Sequence, residues 1–322
     1  MKLSLIIPCY NEELNIRPFY DAAVNVFSGA GYDFELIFVN DGSKDGTYQE
    51  LKKLYEEKKT ALTVLNFSRN FGKEAAIYAG LKSAKGDYIA LIDADLQQRP
   101  EIVAQMVTVL DEHEEYDCVT AFQEYRKEGW AMAWFKDSFY KMINKMCDIE
   151  FVSGASDFRT FRRCVADAVL SLPECDRFSK GIFSWVGFET FYIPYTVEER
   201  YAGETKWSFW KLVKYAISGM VSFSAFPLKI ATFMGGFVSA LAILYMITVV
   251  IQKLVFSIDI PGYPTIIVLI LLLGGLQLMI LGILGEYIAR GYMQGKKRPI
   301  YVLKSKFTYD DSTDRGQGNE DE

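Results

Sequence analysis

Two aspartates and a glutamine amide stand close together where the chain reads Asp-Ala-Asp-Leu-Gln over residues 93–97. The run follows the apolar stretch Tyr88–Ile92, which predicts a buried strand. One residue separates the two aspartates, and where the strand ends in a turn their carboxylates can converge on one ion. Mg²⁺ and Mn²⁺ prefer oxygen ligands and bridge phosphates readily. Asp95 and the carbonyl oxygen of Gln97 are therefore candidate metal ligands, with Asp93 beside them.

Histidine and cysteine chemistry is not expected from this chain. The one histidine, His113, lies in an acidic run that is typical of a solvated surface, so Ser-His and Cys-His nucleophiles are not expected. The five cysteines include no Cys-x-x-Cys pair, and we interpret them as reduced thiols. Of the formal charge of −6, six acids and one arginine in residues 310–322 account for −5. No basic excess remains that would indicate a nucleic-acid partner.

Short apolar strands alternate with helical segments over the first hundred residues. The predicted strands are Leu3–Pro8, Phe34–Val39, Leu62–Phe67 and Tyr88–Ile92, and the predicted helices are Leu14–Phe27, Asp45–Lys58 and Lys73–Lys82. Alternating units of this length predict an α/β domain with a mostly parallel sheet and helices on both faces. Ligands bind such sheets beyond the carboxyl ends of the strands. The loops that begin at Pro8, Asn40, Asn66 and Asp93 are therefore expected to meet at one edge.

Two long stretches near the end of the chain, Ile230–Gln252 and Ile260–Gly285, contain no charged residue. Each is long enough, as a helix, to cross a hydrocarbon core of about 30 Å. We predict a hairpin that crosses the membrane twice; the alternative is a pair of helices buried in a soluble core. Basic residues flank both outer ends, and the connector holds only Lys253, which favours cytoplasmic ends. The N-terminus lacks a signal-peptide pattern, so the preceding domain is expected to be cytosolic.

Lysines are interleaved with aromatic and apolar residues in two further stretches, Ala121–Cys147 and Trp207–Phe226. This pattern is typical of helices that lie in the membrane interface, and ordinary amphipathic core helices are the alternative. We favour the interface for the second stretch, which directly precedes a span, and leave the first open. Small residues such as Gly235 and Ser239 recur at helical spacing in the first span. Such residues could pack against another helix, so a homo-oligomer is possible but is not established by them.

The loop motifs resemble those of the family 2 glycosyltransferases, which have the GT-A fold. They are Pro-x-Tyr-Asn-Glu from Pro8, Asn-Asp-Gly-Ser-x-Asp-Gly-Thr from Asn40, Asn-x-Gly-Lys from Asn70 and Asp-Ala-Asp-Leu-Gln from Asp93. The resemblance continues through Gly-Ala-Ser-Asp-Phe-Arg at 154–159 and Arg-Tyr-Ala-Gly-Glu-Thr-Lys at 200–206. With its two-span C-terminus, the chain is similar to the polyprenyl-phosphate glycosyltransferases, a subgroup that includes dolichyl-phosphate mannose synthases and bactoprenol glucosyltransferases.

The resemblance implies a donor site and a metal site. The implied substrate-binding residues are Pro8, Tyr10, Glu12, Asp41, Lys73, Asp93, Ala94 and Thr205. The implied ligands of Mg²⁺ or Mn²⁺ are Asp95, Gln97 and Asp93. Among the first set, the three residues of the first loop would line the nucleoside pocket, Asp41 would hydrogen-bond the uracil or guanine edge, and Asp93 would contact the ribose or the sugar.

The resemblance also implies catalytic residues, which are Asp157, Asp93, Arg200 and Lys206. A guanidinium and an ammonium both suit phosphate, so Arg200 and Lys206 would grip the donor or acceptor phosphate, with a plain surface loop as the alternative. Thr205 stands where the family more often has serine and keeps the hydroxyl. The acceptor phosphate, with a second pKa near ~6, is already largely a dianion at neutral pH. Asp157 could therefore be a base, a positioning group or a structural residue.

The implied reaction is one in-line displacement with inversion, in which a polyprenyl phosphate oxygen attacks the anomeric carbon and nucleoside diphosphate leaves. UDP-glucose and undecaprenyl phosphate are the leading donor and acceptor; UDP-N-acetylglucosamine, UDP-galactose, GDP-mannose and dolichyl phosphate remain open. One rival is a processive polysaccharide synthase, but the chain lacks Gln-x-x-Arg-Trp. The other rival is a non-catalytic membrane adaptor.

The organisation that these patterns predict has four parts in a multi-pass protein of the inner or plasma membrane. They are a cytosolic GT-A catalytic domain at 1–206, an interface helix at 207–228, two transmembrane helices at 229–290 and a cytosolic tail at 291–322 with a disordered end. The expected partners are the nucleotide-sugar, the polyprenyl phosphate and the membrane.

Overall fold

The protein is an eight-stranded sheet with helices on both faces and a long helical hairpin. The computed structural model describes residues 1–57, 60–123, 144, 155–172, 174–175, 177–196, 224, 226–256 and 262–309. The strands are β1 (Lys2–Cys9), β2 (Asp33–Asn40), β3 (Leu62–Phe67), β4 (Tyr88–Leu91), β5 (Cys118–Gln123), β6 (Ala155–Arg162), β7 (Thr190–Tyr195) and β8 (Leu303–Tyr309). The helices are α1 (Glu13–Phe27), α2 (Thr47–Glu57), α3 (Lys73–Ser83), α4 (Pro100–Glu112), α5 (Arg163–Leu170), α6 (Ser179–Trp185), α7 (Phe226–Phe256) and α8 (Tyr263–Gly295).

The strands lie in the order β7-β5-β6-β4-β1-β2-β3-β8. Strands β1 to β4 pair in parallel, whereas β6 runs antiparallel to β4 and β8 runs antiparallel to β3. The mostly parallel sheet that the sequence predicted is therefore confirmed. In the register of the central strands, Cys9 pairs with Asn40 and Asn40 pairs with Asn66. The loops after β1, β2 and β3 consequently leave the sheet at one level.

Helices cover both faces of the sheet, which explains why its central strands are apolar almost without interruption. On one face α1 packs on β2, where the Phe19 and Phe38 rings meet edge to face with centroids 6.0 Å apart, and α4 packs on β5 and β6. On the other face α3 and α5 enclose Ile6, Ile37 and Phe161. All these side chains are fully buried, and each such burial contributes about 1.5–3 kcal/mol.

The two apolar stretches form α7 and α8, which have 31 and 33 residues. Within them, Phe226–Val249 and Leu269–Gly295 have mean hydropathies of 2.0 and 2.1, and almost none of their residues are buried. The alternative of two buried core helices is therefore wrong, because these apolar surfaces lack protein cover among the described residues. Helices of this length and composition indicate association with a membrane. Lys253, which the sequence analysis placed in the connector, belongs to α7.

The chain re-enters the sheet after the hairpin, which the sequence analysis did not predict. Residues 303–309 had been assigned to the tail, but they form β8 at the open edge of β3. Tyr301 leads into this strand and stacks on Phe67, with ring centroids 5.0 Å apart. The end of the tail at 310–322, residues 207–223 of the interface helix proposed at 207–228, and most of Ala121–Cys147 lie outside the described residues.

Candidate active site

The loops after β1 and β2 hold each other through side-chain to backbone hydrogen bonds. The Asn11 N–H donates to Ser43 Oγ over 2.9 Å, and Asn11 Oδ1 accepts from the Lys44 N–H over 2.9 Å. The Glu12 N–H donates to Thr47 Oγ1, also over 2.9 Å. Asn11 has a φ of 56°, a left-handed conformation that asparagine tolerates better than most residues. The first two predicted loops therefore form one rigid unit.

Asp41 joins this unit to the loop after β3. Its Oδ1 accepts from the Phe71 N–H over 2.6 Å and its Oδ2 accepts from the Gly72 N–H over 2.9 Å, immediately before helix α3. We call these three residues the Asp41 junction. The neighbouring Gly42 has a φ of 62°, and a Cβ there would lie 2.3 Å from the backbone carbonyl carbon of Arg69. Only glycine permits this close approach of the two loops.

The carboxylate of Asp41 is only 3% exposed. Burial raises its pKa, and the two backbone N–H donors and the charge of Arg69 act against this rise. A carboxylate has about four lone-pair sites, of which the junction uses two. A base edge could meet the remaining lone pairs only from the side that the two donors leave open.

Lys73, the first residue of α3, brings together carboxylates from β4 and β6. Its Nζ lies 2.7 Å from Asp93 Oδ1 and 3.0 Å from Asp93 Oδ2. The same Nζ lies 3.5 Å from Asp157 Oδ2. We call these three residues the Lys73 junction. Burial lowers the pKa of Lys73, but the two carboxylates outweigh burial and raise it above its ordinary value. The lysine side chain keeps 42% of its surface exposed.

Asp157 is the least exposed member of the Lys73 junction. Burial raises its pKa, but the nearby charges of Lys73, Lys180 and Arg159 outweigh burial and hold it below its ordinary value. The carboxyl is therefore ionised at neutral pH. Its buried Oδ1 has no hydrogen-bond partner among the residues that the structure describes. An ionised, partly unsatisfied oxygen at this position can accept a proton or a further hydrogen bond.

A tight turn after β4 orients the two aspartates of the Asp-Ala-Asp run. The Asp93 N–H donates to Gln98 Oε1 over 2.9 Å, and the Gln97 N–H donates to Asp95 Oδ1 over 3.2 Å. Leu96 has a φ of 60°, which turns the chain sharply between Asp95 and Gln97. Asp95 is 7% exposed. The two aspartates therefore have different partners. Asp93 contacts Lys73, whereas Asp95 accepts a hydrogen bond within the turn.

The carboxylate oxygens at this turn fit a hard divalent cation such as Mg²⁺. Mg²⁺ usually takes one or two protein carboxylates and completes its shell with water and substrate phosphate oxygens. Asp95 can provide such a carboxylate, whereas the charge of Asp93 is already paired with Lys73. The described residues contain no group of three or more acidic, histidine or cysteine side chains placed to hold a metal. A cation here would therefore depend on the substrate for much of its coordination.

The other predicted residues have mixed placements. Pro8 lines a small cavity together with members of the Lys73 junction, and Tyr10 is half-buried in the same loop. Glu12 Oε2 accepts from Asn15 Nδ2 over 2.6 Å. The Ala94 side chain is buried in the core, so its contact with a substrate could come only through its backbone. The predicted phosphate-binding residues Arg200 and Lys206 and the predicted substrate-binding residue Thr205 lie outside the described part of the chain.

Two charged residues beside the Lys73 junction were missed by sequence reasoning. Glu74 accepts from the Ser179 N–H over 3.0 Å and from the Ser179 hydroxyl, which fixes the start of α6 against the start of α3. Burial raises the pKa of Glu74 and lowers the pKa of Lys180. The position of Glu74 directly after Lys73 was a usable signal. Lys180 belongs to no motif, and only the fold brings it near Asp157.

Comparison with known proteins decides the family. The profile described as Glycosyl transferase family 2 matches residues 4–170. The chain belongs to this family. A second profile, the GtrB C-terminal hairpin, matches residues 226–290, which contain α7 and most of α8. The two matches cover most of the predicted enzyme domain and the predicted membrane hairpin, so the resemblance noted from the motifs is confirmed.

Relatives match over nearly the whole glycosyltransferase chain. The bactoprenol glucosyl transferase of Shigella phage SfV is 39% identical over 307 residues, covering 95% of this chain and 99% of that protein. An uncharacterized glycosyltransferase of Synechocystis sp. is 40% identical over 304 residues, covering 94% of this chain and 95% of that protein. The similarity thus extends through the hairpin.

Among solved structures, glucosyl-3-phosphoglycerate synthase from Mycobacterium tuberculosis, crystallised with Mn²⁺, UDP and phosphoglyceric acid, superposes with a TM-score of 0.50. It is 20% identical, and the match covers 68% of this glycosyltransferase and 76% of that chain. This likeness supports the GT-A fold.

Proposed function

We propose that this glycosyltransferase moves glucose from UDP-glucose to a polyprenyl phosphate, of which undecaprenyl phosphate is the leading candidate. The observation that carries the proposal is the near full-length match to a bactoprenol glucosyl transferase, with both the sheet and the hairpin included. A lipid acceptor explains why the enzyme domain and the hairpin occur in one chain. The acceptor phosphate lies at the headgroup level, where a membrane-anchored domain can meet a soluble donor.

The arrangement of the site supports different roles for its carboxylates. Asp95, with Asp93 nearby, would hold Mg²⁺ or Mn²⁺, which neutralises charge on the leaving diphosphate when it is bound. Asp41, Pro8, Tyr10 and the remainder of the rigid loop unit would hold the nucleoside. Because two strongly bound N–H donors fix Asp41, the loops need little reorganisation when the base arrives.

Lys73 and Asp157 would act at the reacting centre. The Lys73 ammonium keeps Asp157 ionised and lies beside Asp93, so it can also contact a donor phosphate or sugar oxygen. Ionised Asp157 can orient the acceptor by accepting a hydrogen bond at its unpartnered Oδ1, or it can take a proton if the acceptor arrives as a monoanion. We favour positioning, because the phosphate is largely a dianion at neutral pH and needs no base.

The proposed orientation has the enzyme domain on the cytoplasmic side of a protein that crosses the membrane twice. Basic residues flank the outer ends of the two spans in the sequence, as the positive-inside tendency requires. Helix α8 continues past the apolar stretch through Glu286 and Arg290 to Gly295, and Gln294 Oε1 accepts from the Cys175 N–H over 2.9 Å. The helix end is thus attached to the enzyme domain on one side of the proposed membrane.

A transfer assay tests the reaction, the donor and the metal together. Purified protein is mixed with undecaprenyl phosphate, Mg²⁺ and one of four radiolabelled donors, and the label is counted in the organic phase. The donors are UDP-glucose, UDP-N-acetylglucosamine, UDP-galactose and GDP-mannose. We expect transfer from UDP-glucose and its loss with EDTA or in Asp95→Ala. The exposed Asp167→Asn on α5 is the control and should keep full activity.

Each other result of the assay would change a different part of the proposed function. Transfer from another donor would keep the enzyme class and replace the sugar. Transfer that survives both EDTA and Asp95→Ala would contradict the metal assignment. Absence of transfer from every donor, with folded protein and lipid present, would favour another acceptor or the non-catalytic adaptor.

A further inference from the structure

The strand that follows the membrane hairpin contacts strand β3 and helix α2 through the hydroxyl group of Ser305. Strand β8 pairs with β3 from Leu62–Tyr309 to Phe67–Leu303, and Ser305 stands opposite Asn66 near the carboxyl end of β3. Asn66 Nδ2 donates to Ser305 Oγ over 3.3 Å. The same hydroxyl shares a hydrogen bond of 3.2 Å with Tyr48 OH of helix α2. Ser305 therefore links three elements at the open side of the sheet.

The hydrogen bonds continue from Ser305 into the loop after β2. Asn66 Oδ1 accepts from Asn40 Nδ2 over 2.8 Å, and both side chains are buried. Asn40 Oδ1 accepts from the Ser43 N–H over 3.3 Å. Each amide thus donates toward the edge strand and accepts from the side of the active site. The result is a continuous series that runs from Tyr48 and Ser305 to Ser43, which we call the β8 relay.

The β8 relay ends on the rigid unit that carries the candidate donor residues. Ser43 Oγ accepts from the Asn11 N–H, and Asn11 lies between Tyr10 and Glu12. Asp41 lies between Asn40 and Ser43 in the same loop. An amide can be placed in either of two orientations, and the hydrogen bond from Asn66 Nδ2 to Ser305 Oγ favours the observed one. Without it, the Asn66 NH₂ group loses a partner, and the orientation of both amides is less firmly fixed.

We propose that Ser305 is a positioning residue for the nucleotide-sugar donor, so that the chain beyond the membrane hairpin completes the donor site. This inference rests on the proposed function, because it requires that the loops after β1 and β2 bind the donor. Ser305 itself touches no substrate in this account. It acts through Asn66 and Asn40, and its loss should weaken donor binding while the steps after binding proceed at the usual rate.

The test measures UDP binding by calorimetry and the donor KM and kcat of the full-length protein in detergent, for wild type and four variants. Ser305→Ala removes the hydroxyl. Ser305→Thr and Ser305→Val are nearly equal in shape and differ in the hydroxyl alone. Thr308→Ala removes a hydroxyl from an exposed position on the opposite face of the same strand and serves as the matched control.

We expect Ser305→Ala and Ser305→Val to raise the UDP Kd and the donor KM roughly threefold to tenfold, the equivalent of one hydrogen bond. The kcat and the acceptor KM should stay near those of the wild type, and Ser305→Thr and Thr308→Ala should bind UDP normally. Equal UDP affinity of the Thr and Val variants would overturn the proposal, even if Ser305→Ala lowers the melting temperature. Wild-type protein that binds no UDP would instead overturn the proposed function, which separates the two failures.

Discussion

The Asp41 junction and the Lys73 junction are adjacent in the chain and differ in what holds them. Both are built at the start of helix α3, since Gly72 belongs to the first and Lys73 to the second. In the first, one carboxylate accepts from two backbone N–H groups. In the second, one ammonium contacts two carboxylates, and all its partners are side chains. The first is nearly closed to solvent, whereas the lysine of the second is partly exposed.

This difference indicates which junction can change partners during a reaction. Backbone donors at the Asp41 junction are fixed by the loop and by the helix start, so a ligand cannot displace them without opening the fold. The Lys73 ammonium can exchange a carboxylate for a phosphate oxygen, because both are anionic acceptors that a flexible four-carbon stem can reach. We infer that the Asp41 junction fixes the shape of the loops. The Lys73 junction, by contrast, can change partners when an anionic group of the substrate arrives.

The largest effect should follow from removing the cation of the Lys73 junction. Lys73→Met keeps much of the side-chain volume but removes the ammonium that contacts both Asp93 and Asp157. We expect transfer to fall by roughly 10²-fold or more, the usual effect of deleting a preorganised electrostatic group. The melting temperature should change little, because a partly exposed ion pair contributes modestly to stability. The measurement is kcat/KM for transfer, alongside a thermal melt.

Lys82→Met is the matched control, since it makes the same substitution at an exposed position in the last turn of the same helix. It should keep full activity. If Lys73→Met transfers sugar as fast as Lys82→Met, the Lys73 junction has no catalytic part and the contrast with the Asp41 junction fails.

The sequence predicted the parallel core of this site well because local patterns specify it. Apolar strands followed by polar loops are enough to align the loops after β1, β2 and β4 at one edge. The Lys73 junction was beyond such reasoning, although Lys73, Asp93 and Asp157 were all candidates. Its assembly depends on β6 running antiparallel to β4, with Leu91 opposite Arg159 as the last pair. Each aspartate lies two residues beyond that pair, which nothing local to either segment specifies.

Strand β8 shows a different limit. Residues 303–309 alternate between half-buried and exposed side chains, and this period of two was readable as a strand signal. Its partner was not readable, because the chain passes through two long helices before it returns to β3. The exposed Lys304 and Lys306 on an edge strand are typical of edges that avoid pairing with other chains. A tail was therefore predicted where the fold has a strand that pairs with β3.

A smaller effect on activity and a larger effect on stability are expected at the Asp41 junction. Asp41→Asn presents an NH₂ group to one of the two backbone N–H donors, which then remains buried without an acceptor. The loss should be about 1–3 kcal/mol of folding free energy, observed as a lower melting temperature. Residual transfer at a temperature where the variant is folded should exceed that of Lys73→Met. Asp21→Asn, at an exposed site on α1, is the control and should melt like the wild type.

The reverse order of effects would contradict the division between the two junctions. If Asp41→Asn melts normally but binds no UDP, the carboxylate is primarily a ligand for the base and only secondarily a part of the loop. The nucleotide Kd of the folded variant, measured beside its melting temperature, separates these two roles.

The smallest effect concerns Glu74, which follows Lys73 and contacts helix α6. Burial raises the pKa of this carboxyl above its ordinary value of 4.5. Between the unfolded and the folded pKa, the folded state binds more protons than the unfolded state, so this group lowers stability as the pH rises through that window. Glu74→Gln can still accept from Ser179 and carries no charge to bury. It should therefore raise the melting temperature slightly at pH 7 and progressively less toward pH 4.

Glu101→Gln is the matched control, because Glu101 is exposed and occupies the first turn of α4, as Glu74 occupies the first turn of α3. At pH 7 its melting temperature should stay near that of the wild type. A stabilisation by Glu74→Gln that grows as the pH falls would reverse the sign. It would mean that the ammonium of the neighbouring Lys73 outweighs burial at Glu74, and that the charge-responsive region extends past Lys73 into the contact between α3 and α6.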